Sequence, residues 1–378
     1  MRLSSPRKTL IHQAKLFDGF DIHEDGWLLF GDTIEQMGSG PTPDLDSAAI
    51  DRIDARHRLI SPPLLDTHVH GGGGFTAEDG GSSMREVLAF HRRHGAGSSF
   101  LSIVSLPHDR ILKLIREARV LREEDPRFLG LHVEGPFLAA THRGVHQEDY
   151  LRSPTDEEIR AIIDASQGIV RSMTVAPELF TDNQVALLLD AGIHPCFGHT
   201  AANYEQAKHH FTRGSRIVTH AFNAMNPIHH RQPGPILAAI EDDRVWLELI
   251  VDGIHVHESP AHLLPPDRVI LVTDAMAAAG QPDGTYQLGE VSVTVSQGVA
   301  RADNGSLAGS VLTLNQAVRR FAEWTGNLAS ALRSATTNPA RAYGIDGVGT
   351  LSVGNVADIV MWSDNVEPDV RWQGGQIV

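Results

Sequence analysis

Between Leu59 and about Tyr343, short apolar and β-branched runs alternate with segments whose apolar positions recur every three or four residues. That is the rhythm of βα units and of a parallel sheet. Eight runs read as strands: Leu64–His70, Ser98–Val104, Phe128–Glu134, Val170–Ala176, His194–His199, Arg216–His220, Trp246–Asp252 and Val269–Asp274. Helical patterns fall between many of them, at Ser83–His94, Asp109–Glu123, Thr155–Ala165, Thr181–Ala191 and Asn203–Thr212. Eight such units predict an α/β fold, a closed (β/α)8 TIM-like barrel. The tetrads beginning at Thr155 and Thr181 have the capping-box form and mark two helix starts. Residues 1–58 and 347–378 lack helical periodicity and are punctuated by Gly, Pro and Asp. They read as short strands and turns. The two ends are expected to pair into a small discontinuous β-sandwich domain, leaving 59–346 as the barrel.

The last residues of the strands carry the chemistry. They are His68 and His70 before a glycine run, then Glu134, His199, His220 and Asp274. Alternate strand residues share a face, so His68 and His70 project together and can converge on one ion. Barrel enzymes assemble their sites at the C-terminal strand ends. A carboxylate that closes an apolar run, as Glu134 and Asp274 do, costs several kcal/mol to bury unless it is paired or bound to metal. Singly, His199 reads as a core histidine and His220 as an element cap; jointly, the set reads as a metal site. Imidazoles with carboxylates suit Zn2+ or Fe2+ rather than Mg2+ or Ca2+. Such an ion lowers the pKa of bound water to about 7, so the chemistry predicted is hydrolysis. Asp274 is placed to move the proton from water to a leaving nitrogen.

Composition narrows the picture further. The chain has 378 residues and a formal net charge of −15, which argues against nucleic acid as a general partner but leaves room for one small anionic ligand. The single cysteine, Cys196, lies within an apolar run and reads as packing rather than as a nucleophile. The first residues, Met-Arg-Leu-Ser-Ser-Pro-Arg-Lys, lead into no long apolar run, and no stretch approaches the length of a membrane span. A cytoplasmic protein is expected.

The ordered set His-X-His, Glu, His, His, Asp on a barrel resembles the amidohydrolase superfamily. Further words narrow the resemblance to its N-acetylglucosamine-6-phosphate deacetylases: Leu131-His-Val-Glu-Gly-Pro-Phe, Gly198-His-Thr, Thr219-His-Ala-Phe-Asn-Ala-Met, Val251-Asp-Gly-Ile-His-Val-His, Val272-Thr-Asp-Ala, Leu307-Ala-Gly-Ser, Thr337-Asn-Pro-Ala and Gly349-Thr-Leu-Ser-Val-Gly-Asn-Val-Ala-Asp. The resemblance implies a metal-dependent deacetylase of N-acetylglucosamine 6-phosphate, in amino-sugar catabolism or cell-wall recycling. It makes Glu134, His199 and His220 ligands of the principal ion and Asp274 the acid/base. His68 and His70 imply room for a second ion bridged by the glutamate. Zn2+ is the first expectation for the metal, with Fe2+, Mn2+ or Co2+ as alternatives. The resemblance also implies His146 near the acetamide or hydroxyls, with His142 a nearby competitor, and Asn223, Ala224, Arg231 and His255 on the sugar phosphate. Histidines and Gln232 crowd Arg231, so the register of that loop stays open. A homodimer, with one phosphate ligand drawn from the neighbouring subunit, is a further implication.

Three other readings remain. A deacetylase of another N-acetyl amino sugar phosphate differs by a few hydrogen bonds. A cyclic amidohydrolase of dihydroorotase or hydantoinase type often uses a carboxylated lysine, and Glu134 stands at the matching strand end. A metal-free binding barrel would be expected to lose ligands that this chain retains.

Overall fold

The computed structural model describes residues 8–44 and 50–378, so residues 1–7 and 45–49 of the predicted 1–58 segment lie outside the described residues. Eight parallel strands follow one another around a sheet: Leu64–Asp66, Ala96–Ile103, Phe128–Glu134, Val170–Val175, His194–Phe197, Ile217–Val218, Trp246–Ile250 and Val269–Val272. The first and last meet beyond their regular ends, where Val69 bridges Ala275 and the Asp274 N–H donates to the His68 carbonyl at 2.9 Å. Buried Asp66 reinforces this seam by accepting a hydrogen bond from Thr273 Oγ1 at 2.7 Å. Every predicted strand is present, trimmed at one or both ends in most cases. Those trimmed residues leave the ladder and become the loops that carry the site.

The helices follow the predicted periodicity: Gly81–Arg93, His108–Glu124, Asp156–Ser166, Asp182–Asp190 and Tyr204–Thr212. Thr181 forms a full capping box with Gln184, as expected, and Asn203 forms another with Gln206. One element was not anticipated. After the eighth strand, Gly284–Leu288, Val291–Ser296 and Val299–Ala302 make an antiparallel three-stranded sheet. Its inward residues Val293, Val295, Ala300 and Ala302 join the barrel's apolar core. The alternation in Val291-Ser-Val-Thr-Val-Ser296 is the signal that marks it.

Both chain ends contribute to a single eight-stranded sheet with a core of its own, in which Ile11, Leu28 and Phe30 from one end meet Ile359, Met361 and Trp372 from the other. The strand Leu59–Ser61, just past the expected boundary, pairs within this sheet. The strand Ile359–Trp362 couples the two bodies by period-two alternation: Ile359 and Met361 face the terminal core, Val360 and Trp362 the barrel core. Trp362 is fully buried, and its indole N–H donates to Ser61 Oγ at 2.8 Å. Gly95 makes room for it: at φ +90°, a Cβ there would lie 2.2 Å from the indole.

Trp362→Ala is expected to cost about 3–5 kcal/mol in urea unfolding, the range for deleting a large buried aromatic. A loss below about 1 kcal/mol would show that the two bodies do not depend on this contact.

Candidate metal centre and active-site cleft

The predicted strand-end residues converge. Glu134 ends its strand almost fully buried, with imidazoles on both carboxylate oxygens. Its Oε1 lies 3.0 Å from His220 Nε2 and 3.2 Å from His199 Nε2. Its Oε2 lies 3.2 Å from His70 Nε2 and 3.4 Å from His146 Nε2. Asp274 Oδ1 stands 3.3 Å from His70 Nε2 and 3.6 Å from His68 Nε2. The Nε2 atoms also approach in pairs, His68 to His70 at 3.1 Å and His199 to His220 at 3.0 Å. Two sets of buried donors result, His68/His70/Asp274 and Glu134/His199/His220, each able to hold an ion.

Local backbone makes this convergence possible. His199 (φ 46°), His220 (φ 26°) and Asp274 (φ 48°) all leave their strands in left-handed conformations. A non-glycine residue there costs on the order of 1–3 kcal/mol and persists only where its surroundings fix it. The turn at Asp274 is fixed from behind: Ser310 N–H donates to the Asp274 carbonyl at 2.7 Å. Gly309, at φ +64°, has no Cβ to meet that same oxygen, which would lie 2.8 Å away.

Electrostatics match the donor set. Burial works against ionising Glu134, but His68, His146, His199 and His220 hold its carboxyl well below the usual range. Burial likewise opposes ionisation of Asp274, and His68 and His70 bring it down to about 2. Burial alone would depress His68, but Glu134 and Asp274 raise it to about 10. Four imidazoles around two carboxylates, with Nε2 atoms aimed at one another, form a cluster that one or two divalent cations satisfy directly.

His146 has a different environment. Its Nδ1 accepts the Ser105 N–H at 3.2 Å, which leaves Nε2 to carry the proton of the neutral ring. Burial pushes this imidazole down, against the nearby Glu134, and favours the neutral form. The competitor His142 lies further out, where its carbonyl meets His199 Nδ1 at 2.9 Å and so orients that ring.

These residues open into a cleft of about 390 Å³ lined also by Asn223, Ala224, His255 and Leu307. His255 Nδ1 pairs with Asp252 Oδ2 at 2.6 Å. Burial lowers this imidazole, but the Asp252 carboxylate outweighs burial and the net shift is upward. Arg231 is not among the cleft residues. It is exposed on a separate groove with Tyr204, Asn226 and His229, and its guanidinium donates to His230 Nε2 at 2.8 Å. Cys196 is buried in its strand and burial drives its thiol well up, as a packing role requires.

Sequence reasoning missed four residues around this centre. Asp252 could have been found, three residues before His255 at a strand end. His132 lies within the centre, its ring 4.6 Å from that of His68 and hydrogen-bonded to Ser172 and Thr174. Glu78 and Glu248 approach the far nitrogens of His70 and His68. No local pattern announces these three.

A (β/α)8 barrel with buried histidine and carboxylate donors converging at its C-terminal mouth defines a divalent-metal hydrolase. The chain belongs to the amidohydrolase family, whose model matches residues 59–378. It is 34% identical over 366 residues to an N-acetylgalactosamine-6-phosphate deacetylase of Escherichia coli O157:H7, spanning 94% of this chain and 97% of that one. It is 32% identical over 325 residues to the N-acetylglucosamine-6-phosphate deacetylase of Bacillus subtilis (strain 168), spanning 82% of each. The structure of a Mycobacterium smegmatis N-acetyl-D-glucosamine-6-phosphate deacetylase mutant, solved in complex with N-acetyl-D-glucosamine 6-phosphate, superposes with a TM-score of 0.92 at 34% identity, covering 98% of this chain and 99% of that one.

Asp252→Asn removes the carboxylate that shifts His255 upward, so the imidazole's midpoint, followed by NMR, is expected to fall below the wild-type value. An unchanged midpoint would place the source of the shift elsewhere.

Proposed function

We propose that this chain is an N-acetylglucosamine-6-phosphate deacetylase, hydrolysing the acetamide of N-acetyl-D-glucosamine 6-phosphate to D-glucosamine 6-phosphate and acetate. The observation that carries the reading is Glu134, a member of one buried donor group, 3.2 Å from His70 of the other and lining the cleft. The extensive likeness to deacetylases of sugar phosphates supports it.

Glu134, His199 and His220 would hold the principal ion, and His68, His70 and Asp274 would hold a second. The imidazole-rich set favours Zn2+, with Fe2+, Mn2+ or Co2+ as alternatives. A bound ion supplies Lewis acidity and lowers the pKa of coordinated water. Asp274, ionised at neutral pH, takes a proton from the attacking water as oxygen bonds to the acetamide carbon. It returns that proton to nitrogen as the C–N bond breaks, leaving acetate and the free amine. His146 Nε2–H donates to the amide oxygen as charge develops there.

The His255 imidazole, the Asn223 side chain and the Ala224 backbone orient the sugar phosphate in the cleft. Arg231 faces away from that cleft and is assigned to the phosphate of a neighbouring subunit in a homodimer. The described parts of the terminal segments 1–58 and 347–378 act as a small β domain bracing the barrel of 59–346. No helix among the described residues is long and apolar enough to cross a membrane, and we place the protein in the cytoplasm. N-acetyl-D-galactosamine 6-phosphate is the second substrate reading, favoured by the Escherichia coli relative that aligns over nearly its whole length.

Acetate release is the direct test, using enzyme stripped of metal and reloaded with Zn2+, Fe2+ or Mn2+, on both sugar phosphates and on unphosphorylated N-acetylglucosamine. Metal-dependent release that requires the phosphate is expected, and faster for the gluco epimer. No release from any of these by reloaded enzyme contradicts the reading. Asp274→Asn should lower kcat by ~100- to 10,000-fold while the Glu134/His199/His220 ion stays bound; full activity would contradict the acid/base role.

A further inference from the structure

Two buried carboxylates take no part in the mechanism above, yet each backs one histidine of the His68/His70 pair. Glu248, at the middle of the strand Trp246–Ile250, is fully buried. Its Oε2 lies 3.5 Å from His68 Nδ1. Its Oε1 accepts the Tyr343 hydroxyl at 3.0 Å and the Thr67 hydroxyl at 3.2 Å, which fixes the carboxylate. Glu78, in the short helical turn Ala77–Asp79, is 1% exposed. Its Oε1 lies 3.6 Å from His70 Nδ1 and accepts the Val104 N–H at 3.0 Å, while its Oε2 accepts the Thr76 hydroxyl.

The nitrogens left over match these carboxylates. His68 Nδ1, His70 Nδ1 and Glu248 Oε2 are buried with no hydrogen-bond partner closer than these approaches. An unsatisfied buried polar atom is costly, and a contraction of a few tenths of an ångström would convert each approach into a hydrogen bond. The other donor group is built differently. His199 Nδ1 meets only the neutral carbonyl of His142, and His220 Nδ1 has no partner. A carboxylate behind a ligating imidazole fixes its tautomer and raises its basicity, and its removal costs about 10- to 100-fold in metal affinity.

We infer that Glu248 and Glu78 are positioning residues that make the His68/His70/Asp274 group a strong ion site of its own. They hold the Nδ1 protons of His68 and His70 so that both Nε2 atoms present lone pairs to the ion. The inference rests on the proposed two-ion reading and adds that the two sites differ in kind: carboxylate-backed at His68 and His70, carbonyl-backed at His199. Tyr343, late in the chain, thereby acts on the centre through Glu248.

The test is Co2+ binding to the full-length, metal-stripped protein, by chelator competition and visible absorption, for wild type, Glu248→Gln and Glu78→Gln. Glutamine keeps the shape and removes the charge. Wild type is expected to bind two ions; each variant should weaken one of them by about 10- to 100-fold, alter only that ion's absorption, and leave the other ion's affinity unchanged. Thermal unfolding of the metal-free variants separates a structural role. A fall in their midpoint with both ions weakened alike overturns the inference, as do two unchanged affinities. A wild-type chain that takes up a single Co2+ overturns the two-ion reading itself, and the inference with it.

Discussion

A buried glutamate ringed by imidazoles is the constraint on which the rest of this structure depends. Removing the Glu134 carboxylate from water costs several kcal/mol, and only the convergence of His68, His70, His146, His199 and His220 makes the ionised form stable there. That convergence draws on residues far apart in the chain and needs a barrel that closes at its mouth. The seam between the first and last strands, made by Val69, Ala275 and the Asp274 N–H, is therefore as much part of the site as the ligands are. The left-handed turns at His199, His220 and Asp274 are local strain that the same closure maintains.

Support extends outward in layers of decreasing polarity. Nearest the donors lie His132, Glu78, Glu248 and Asp252, each held by its own hydrogen bonds. Beyond them the apolar strands fill the barrel, and the three-stranded insert covers one side of its core. Outside that, the terminal sheet meets the barrel through Trp362 and through the paired hydrogen bonds of Arg127 to Asp358, at 2.9 and 2.8 Å. Rigidity at the centre thus draws on contacts far from it. This suits a reaction in which one carboxylate must reach both a water and a leaving nitrogen.

Much of this was legible in the chain because strands and helices announce themselves by period, and because a polar residue closing an apolar run is conspicuous. Glu134 and Asp274 stood out for that reason, as did His68 with His70. What stayed hidden lacks such contrast. Glu248 alternates with Leu247 and Leu249 and reads as an outward strand residue, yet it points into the barrel. Glu78 sits in a glycine-rich loop with no period, and only the fold brings it to His70. The left-handed turns have no glycine to betray them at His199, His220 or Asp274. Arg231 shows the opposite limit: the family resemblance alone pointed to it as a phosphate ligand, and the loop places it exposed on a separate groove.

The account stands or falls on where metal binds. Crystals of the Zn2+-loaded protein, with diffraction recorded on both sides of the zinc absorption edge, address this directly. The expected result is anomalous density between Glu134, His199 and His220, with a second peak beside His68, His70 and Asp274. Zinc found only outside this cluster, with Glu134 bonded to histidines alone, would contradict the account.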